Sequence, residues 1–273
     1  MTVVDFASFV EKLATASGEA ILPFFRTMIG VEDKARASAG RKAFDPVTEA
    51  DRAAEAVMRR MIGETFPKHG IVGEEFGNDR EAAEYVWVLD PIDGTRSFIC
   101  GMPMWGTLIG LAHHGVPAFG MMHQPFTRER FRGDGRSASW TGPSPRDATG
   151  IEMAERRLLA RPCASLAEAT LMTSTPAMFA GGQREIYDRI EAQARLARYG
   201  CDCYAYCMLA AGHVDLVIET GLQPYDIVAL VPIIEGAGGI VTNWDGGSPA
   251  PGGSIVAAGD KRLHEIALRE LRG

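Results

Sequence analysis

No stretch of this chain reaches the roughly 18 consecutive apolar residues of a membrane span. Its first ten residues lack the basic segment and apolar core of a secretory leader. The expectation is a soluble, cytoplasmic protein that does not engage a membrane. Cysteine is scarce: five residues, at 100, 163, 201, 203 and 207, are odd in number and lack the spacing of a disulfide framework. Reduced thiols are expected, and Cys201-x-Cys203-x₃-Cys207 lacks the second Cys or His pair that a four-ligand zinc site needs. These three read as buried helix cysteines. Positive charge is also in deficit, 28 basic against 35 acidic residues for a net −7, which disfavours binding the phosphate backbone of nucleic acids. There is no internal repeat or low-complexity tract.

What remains is a chain of 273 residues with 46% hydrophobic content, ample for a packed core. Phe6, Phe9, Val10, Leu13 and Ile21 fall at helical spacing and predict a long amphipathic helix over 5–28. Residues 34–44, charged and small, read as a mobile surface connection. A second helix is expected over 53–66, stopped by Pro67. Strands are expected at 71–75, 85–89, 105–112, 116–122, 128–132 and 136–140, with His113-His114-Gly115 read as a turn rather than a ligand pair. The Gly-, Pro- and Ser-rich stretch 141–146 suggests a boundary, giving an N-terminal α+β domain, 1–142, and a C-terminal αβα domain, 143–273. In the second, strands at 171–174, 197–199, 214–219, 240–242 and 255–258 alternate with helices at 183–193, 204–211, 224–236 and 261–271.

The densest chemistry lies in Trp87-Val-Leu-Asp90-Pro-Ile-Asp93-Gly-Thr95. An apolar strand ends in two carboxylates, with Pro91 and Gly94 turning the chain so that Asp90, Asp93 and the Ile92 carbonyl can face one point. Hard oxygen ligands of this kind suit Mg²⁺. Gly94-Thr95 can then open a helix whose free N–H groups meet a phosphate. Asp-Pro and Asp-Gly pairs are also ordinary turn punctuation, so the run acquires meaning from its company.

That company is Asp45-Pro-Val-Thr-Glu-Ala-Asp51, Gly73-Glu74-Glu75, and Tyr225-Asp226 followed by Gly236-Ala-Gly-Gly239. With these four segments in order, the chain resembles the inositol-monophosphatase-like superfamily of Mg²⁺-dependent phosphomonoesterases. Tyr225 stands where that family usually has Trp. The resemblance implies an α+β, α/β/α/β-layered sugar-phosphatase fold, with the site at the junction of its halves, and commonly a homodimer. It implies that Glu74, Asp90 and the Ile92 carbonyl hold one metal, and Asp90, Asp93 and Asp226 a second. Mg²⁺ is the expected ion, two or three in number, with Mn²⁺ also admissible. Two such metals clamp the attacking and leaving oxygens of an in-line displacement. Asp45 and Thr95 would orient and deprotonate the attacking water, although Asp45 could equally be the N-cap of the second helix. Glu75 and Asp51 are assigned no direct role.

The phosphate would rest on Gly94 and Thr95, with Arg96 and Ser97 beside it. Arg96-Ser97-Phe98-Ile99-x-Gly101-x-Pro103-x-Trp105 and Tyr199-Gly200-Cys201-Asp202-Cys203-Tyr204 look like the histidinol-phosphate phosphatase branch of that superfamily. A carboxylate at Asp202 suits a substrate bearing an ammonium group, and Glu219 at a strand end would add a second acceptor. Asp202 could instead merely cap the helix beginning near Cys203. The resemblance thus implies hydrolysis of L-histidinol phosphate. An inositol-1-phosphate or broad-specificity phosphatase is the alternative, and a non-catalytic ligand-binding relative a more distant one.

Overall fold

The computed structural model describes residues 6–28, 30–33 and 46–272. Asp45 and the 34–44 connection lie outside the described residues. The first helix, α1 (Phe6–Ile21), stops short of the expected residue 28 because Pro23 lacks a donor and disfavours helix before it. Two short strands, β1 (Val31–Asp33) and β2 (Pro46–Thr48), pair antiparallel and lead into α2 (Glu49–Thr65). Thr48 is the N-cap of α2. The capping alternative for Asp45 is thereby removed.

An eight-stranded sheet follows, built from β3 (Gly70–Gly73), β4 (Gly77–Asp79), β5 (Tyr85–Asp93), β6 (Gly106–His113), β7 (Val116–Gln124), β8 (Glu129–Gly133), β9 (Ala138–Pro143) and β10 (Met153–Arg157). A five-residue helix, α3 (Thr95–Ile99), sits between β5 and β6. β5 runs four residues beyond its expected end. Pro91 cannot donate to the ladder, but its carbonyl accepts from the Thr107 hydroxyl at 2.8 Å, and the register shifts between Asp90 and Asp93 absorb the irregularity. β10 pairs with β9, so this sheet continues through residue 157 and the expected division at 142/143 falls within it.

The second sheet has the order β12-β11-β13-β15-β14, from β11 (Thr170–Thr173), β12 (Leu196–Tyr199), β13 (Leu216–Leu222), β14 (Ile240–Asn243) and β15 (Gly253–Ala258). Its helices are α4 (Gly182–Gln193), α5 (Cys203–Ala210), α6 (Pro224–Ile227), α7 (Val231–Gly236) and α8 (Lys261–Arg272). The single helix expected over 224–236 is two, because Pro232 has no N–H for residue 228 and its ring crowds that carbonyl.

Burial orders these elements into five layers. Leu13, Met58 and Ile62 of α1 and α2 pack on Trp87, Ile109 and Met121 at the outer face of the first sheet. On its inner face Leu108, Met122 and Phe131 meet Tyr206, Leu209, Ile233 and Ile234, which also touch Val217 and Ile255 of the second sheet. Tyr187, Ile190, Leu263 and Ala267 of α4 and α8 close the far side against Leu216, Ile218 and Val256. The result is α/β/α/β/α, an α+β fold whose two sheets share the middle helical layer.

One feature sets the spacing between the layers. Gly110, Gly120 and Gly133 stand opposite one another on β6, β7 and β8. A Cβ at Gly110 would come within 3.0 Å of Val228, and one at Gly120 or Gly133 would overlap the carbonyl of Ala229 or Pro232. Only glycine permits this approach, so the backbone of 228–233 lies directly on the sheet.

Candidate active site

The site forms where β5 ends. The Ile92 N–H donates to Asp90 Oδ1 at 3.0 Å, folding the turn back on its own carboxylate. Thr95 Oγ1 donates to the Ile92 carbonyl at 3.0 Å, fixing that hydroxyl beside the carbonyl. Gly94, at φ +86°, supplies the left-handed step that starts α3. Across the molecule, Asp226 in α6 comes from the segment laid over the glycines. One carboxylate oxygen from each of Asp90, Asp93 and Asp226 falls in a cluster no wider than 4.8 Å. Glu74, just after β3, hydrogen-bonds Asp90.

The electrostatics are those of a site awaiting positive charge. Burial, then the charges of Glu74, Asp93 and Asp226, hold the Asp90 carboxyl well above the usual range. Asp93 is pushed up by burial and by Asp202 and Asp226. Asp226 is pushed up to about 7, chiefly by burial. Like charges this close cannot all ionise unaided, and a dication held by hard oxygens relieves them. The donor set therefore fits Mg²⁺.

Asp93 carries a second duty. Its Oδ2 accepts from the Cys203 N–H at 2.6 Å, capping α5 from the other half of the molecule. Asp202 occupies the N-cap position of α5, but its side chain makes no capping hydrogen bond there. It turns toward α3 instead, where Ser97 Oγ donates to it at 3.5 Å, and burial raises its carboxyl against the lowering by Ser174, Arg96 and Ser97, burial prevailing. The reading of Asp202 as a cap alone is thus corrected. Its backbone sits at φ +42°, an uncommon conformation for a non-glycine residue. A Cβ on Gly94 would lie 3.1 Å from Asp202 Oδ2, so glycine there leaves room for the carboxylate.

Glu219 is a correction of a different kind. Its Oε1 accepts from the Ser174 N–H at 2.8 Å and hydroxyl at 2.5 Å, and its Oε2 from Tyr206 at 2.9 Å. Only 2% exposed, it serves internal donors rather than a substrate directly, and it takes the Ser174 hydroxyl hydrogen bond. The sequence reading missed Ser174, Tyr206 and Glu55. Glu55, fully buried on α2, accepts from the N–H groups of Glu75 at 2.7 Å and Phe76 at 3.2 Å and so steadies the loop that carries Glu74. Asp51 accepts the Thr48 N–H and hydroxyl on Oδ2 while its buried Oδ1 has no partner among the described residues, and burial pushes its carboxyl up to about 6. An acid on the inner face of α2 was the available signal for both.

Residues 3–273 match the inositol monophosphatase family. The chain belongs to that family. A solved inositol monophosphatase from Zymomonas mobilis is similar in fold, with a TM-score of 0.83 and 38% identity over 97% of both chains. Among curated relatives, the chloroplastic bifunctional phosphatase IMPL2 of Arabidopsis thaliana is 43% identical over 97% of this chain and 75% of its own length. The histidinol-phosphatase of Mycobacterium tuberculosis is 36% identical over 83% of this chain and 84% of its own. This member of the inositol monophosphatase family is thus a phosphatase, a phosphoric monoester hydrolase acting on a small phosphomonoester. Among the described residues no helix is long and apolar enough to cross a membrane.

Proposed function

We propose that this phosphatase hydrolyses L-histidinol phosphate to L-histidinol and phosphate. The carrying observation is Asp202: a half-buried carboxylate in a left-handed backbone conformation, facing Gly94 and α3 rather than capping its own helix. A carboxylate so placed suits an ammonium group that must leave water, whereas a neutral polyol offers it hydroxyl hydrogen bonds but no compensating charge. Relatives named histidinol-phosphatase support the reading.

Glu74, Asp90, the Ile92 carbonyl, Asp93 and Asp226 would hold Mg²⁺. When bound, the metal supplies the charge that acidifies water and neutralises phosphate oxygens. Thr95, whose hydroxyl donates to the Ile92 carbonyl, would orient the attacking water by accepting from it, and Asp45 is the proposed acceptor of that water's other proton. Gly94 and Thr95 N–H groups receive the phosphate, with Arg96 and Ser97 at its edge. Ser97 keeps Asp202 aimed at the amine, while Glu219, itself held by Tyr206, fixes Ser174. The proposed assembly is a homodimer, which light scattering on the purified chain would measure.

The deciding experiment is phosphate release from histidinol phosphate and from inositol 1-phosphate with Mg²⁺ present. kcat/KM should favour histidinol phosphate, and an equal or greater value for the inositol ester overturns the substrate assignment in favour of the broad-specificity alternative. Asp202→Ala should lower kcat/KM for histidinol phosphate by about 10²-fold, the loss expected when a charged partner goes unpaired. The inositol ester should change far less.

A further inference from the structure

The far end of β5 carries a second cluster of metal-ligating side chains. Glu84 immediately precedes the strand, and Tyr85 pairs with His113, the last residue of β6. His113 in turn pairs with Val116, leaving His114 and Gly115 as a two-residue hairpin loop. The His114 N–H donates to the Glu84 carbonyl at 2.8 Å, pinning the turn onto the strand start. Glu84 Oε1 then lies 3.3 Å from His113 Nε2, and the imidazoles of His113 and His114 stand 4.4 Å apart. One ligand atom from each of the three residues falls within 4.8 Å of the others.

We propose that Glu84, His113 and His114 form a second metal site, selective for a borderline transition-metal dication such as Zn²⁺. Two imidazoles and one carboxylate are a donor set for zinc rather than for Mg²⁺, which takes oxygen. Glu84 and the two histidines are partly exposed, so water can complete a tetrahedral shell. Tyr85 stacks on His113 at 4.5 Å and 19°, holding that ring in place while leaving Nε2 toward Glu84. The turn itself points the same way. His114 and Gly115 both have positive φ, 49° and 77°, the signature of a type I′ turn in which Asn-Gly is the favoured pair. An imidazole stands where an amide would serve the turn better. Five residues of strand lie between Glu84 and Asp90, six steps or about 20 Å at the usual rise, so the two sites do not share ligands.

His114→Asn tests this cleanly, because Asn suits the turn and removes only the ligand. Equilibrium dialysis of the full chain against Zn²⁺, with Mg²⁺ in saturating excess, should show one more Zn²⁺ per wild-type chain than per H114N chain. Glu84→Gln should weaken that additional binding tenfold or more. Turnover of H114N without Zn²⁺ should match wild type, and its melting temperature should be no lower. Equal Zn²⁺ stoichiometry and affinity in wild type and H114N would overturn the proposal.

Discussion

Asp93 joins the two halves of the molecule as well as standing in the carboxylate cluster. Its Oδ2 accepts the Cys203 N–H, and an asparagine could keep that bond through its own carbonyl while losing the charge. Asp93→Asn should therefore cut Mg²⁺-dependent phosphate release on the order of 10²–10³-fold, as loss of a charge-stabilising group does, with an unchanged circular dichroism spectrum. Near wild-type activity would refute the metal-ligand role. His123 offers a separate test on stability. Burial and the nearby Arg130 charge push its imidazole down to about 3, so the folded protein keeps it neutral where the unfolded chain takes up a proton. Its contribution is present above about pH 6.5 and is lost as pH falls from there toward 3, at about 1.4 kcal/mol per unit. Denaturant melts of His123→Gln should show a shallower fall between pH 6.5 and 4.5 than wild type; identical slopes would discount the buried histidine. Asp90, Asp93, Glu74 and Asp226 were legible in the sequence because metal carboxylates sit in short, distinctive runs. Ser174 was not, since a serine at a strand end has no signature until the fold sets Glu219 behind it.

At the level of elements, hydrophobic periodicity located the long helices and paired strands, and proline explains where it overran. Pro23 shortened α1, and Pro232 divided α6 from α7. Of the missed strands, β1, β2 and β4 are three residues each, too short for an alternation to register, and β10 is a charged, mostly exposed edge strand with no buried face to alternate. Also invisible was the alignment of Gly110, Gly120 and Gly133, because cross-strand register depends on turns and pairing. Gly120→Ala would drive its methyl group into the Ala229 carbonyl, which is backbone and cannot rotate away. The expected cost is about 1–3 kcal/mol of stability, with a further drop in turnover as Asp226, two residues before Val228, is displaced. Gly63→Ala on exposed α2, where a Cβ meets nothing within 4 Å, should instead stabilise by about 0.5–1 kcal/mol. Urea melts of the two variants should move in opposite directions.

For the whole molecule, the carboxylate cluster draws on two adjoining layers: Asp90 and Asp93 from the first sheet, Asp226 from the middle helices, with Asp202 entering from the start of α5. A dication bound there grips both halves and has no comparable site in the unfolded chain. Mg²⁺ at 100 times its Kd should thus stabilise the fold by about 2.7 kcal/mol, read as a rise in melting temperature that EDTA reverses and Asp93→Asn abolishes. The expected split at 142/143 overlooked this sharing, because a Gly- and Pro-rich stretch reports a change of direction and not the sheet to which the next strand returns.

The line of glycines under residues 228–233 gives this arrangement a fixed gauge. Where side chains separate two layers, a change of one methylene alters the gap; where peptide backbones touch, the gap is set by atoms that every sequence shares. Core residues elsewhere can therefore drift in size and alter stability while the distance between Asp226 and the end of β5 stays put. The wall formed by α3 and the start of α5 meets through side chains such as Ser97 and Asp202 instead, so a substitution there alters the shape and charge of the site without moving the layers.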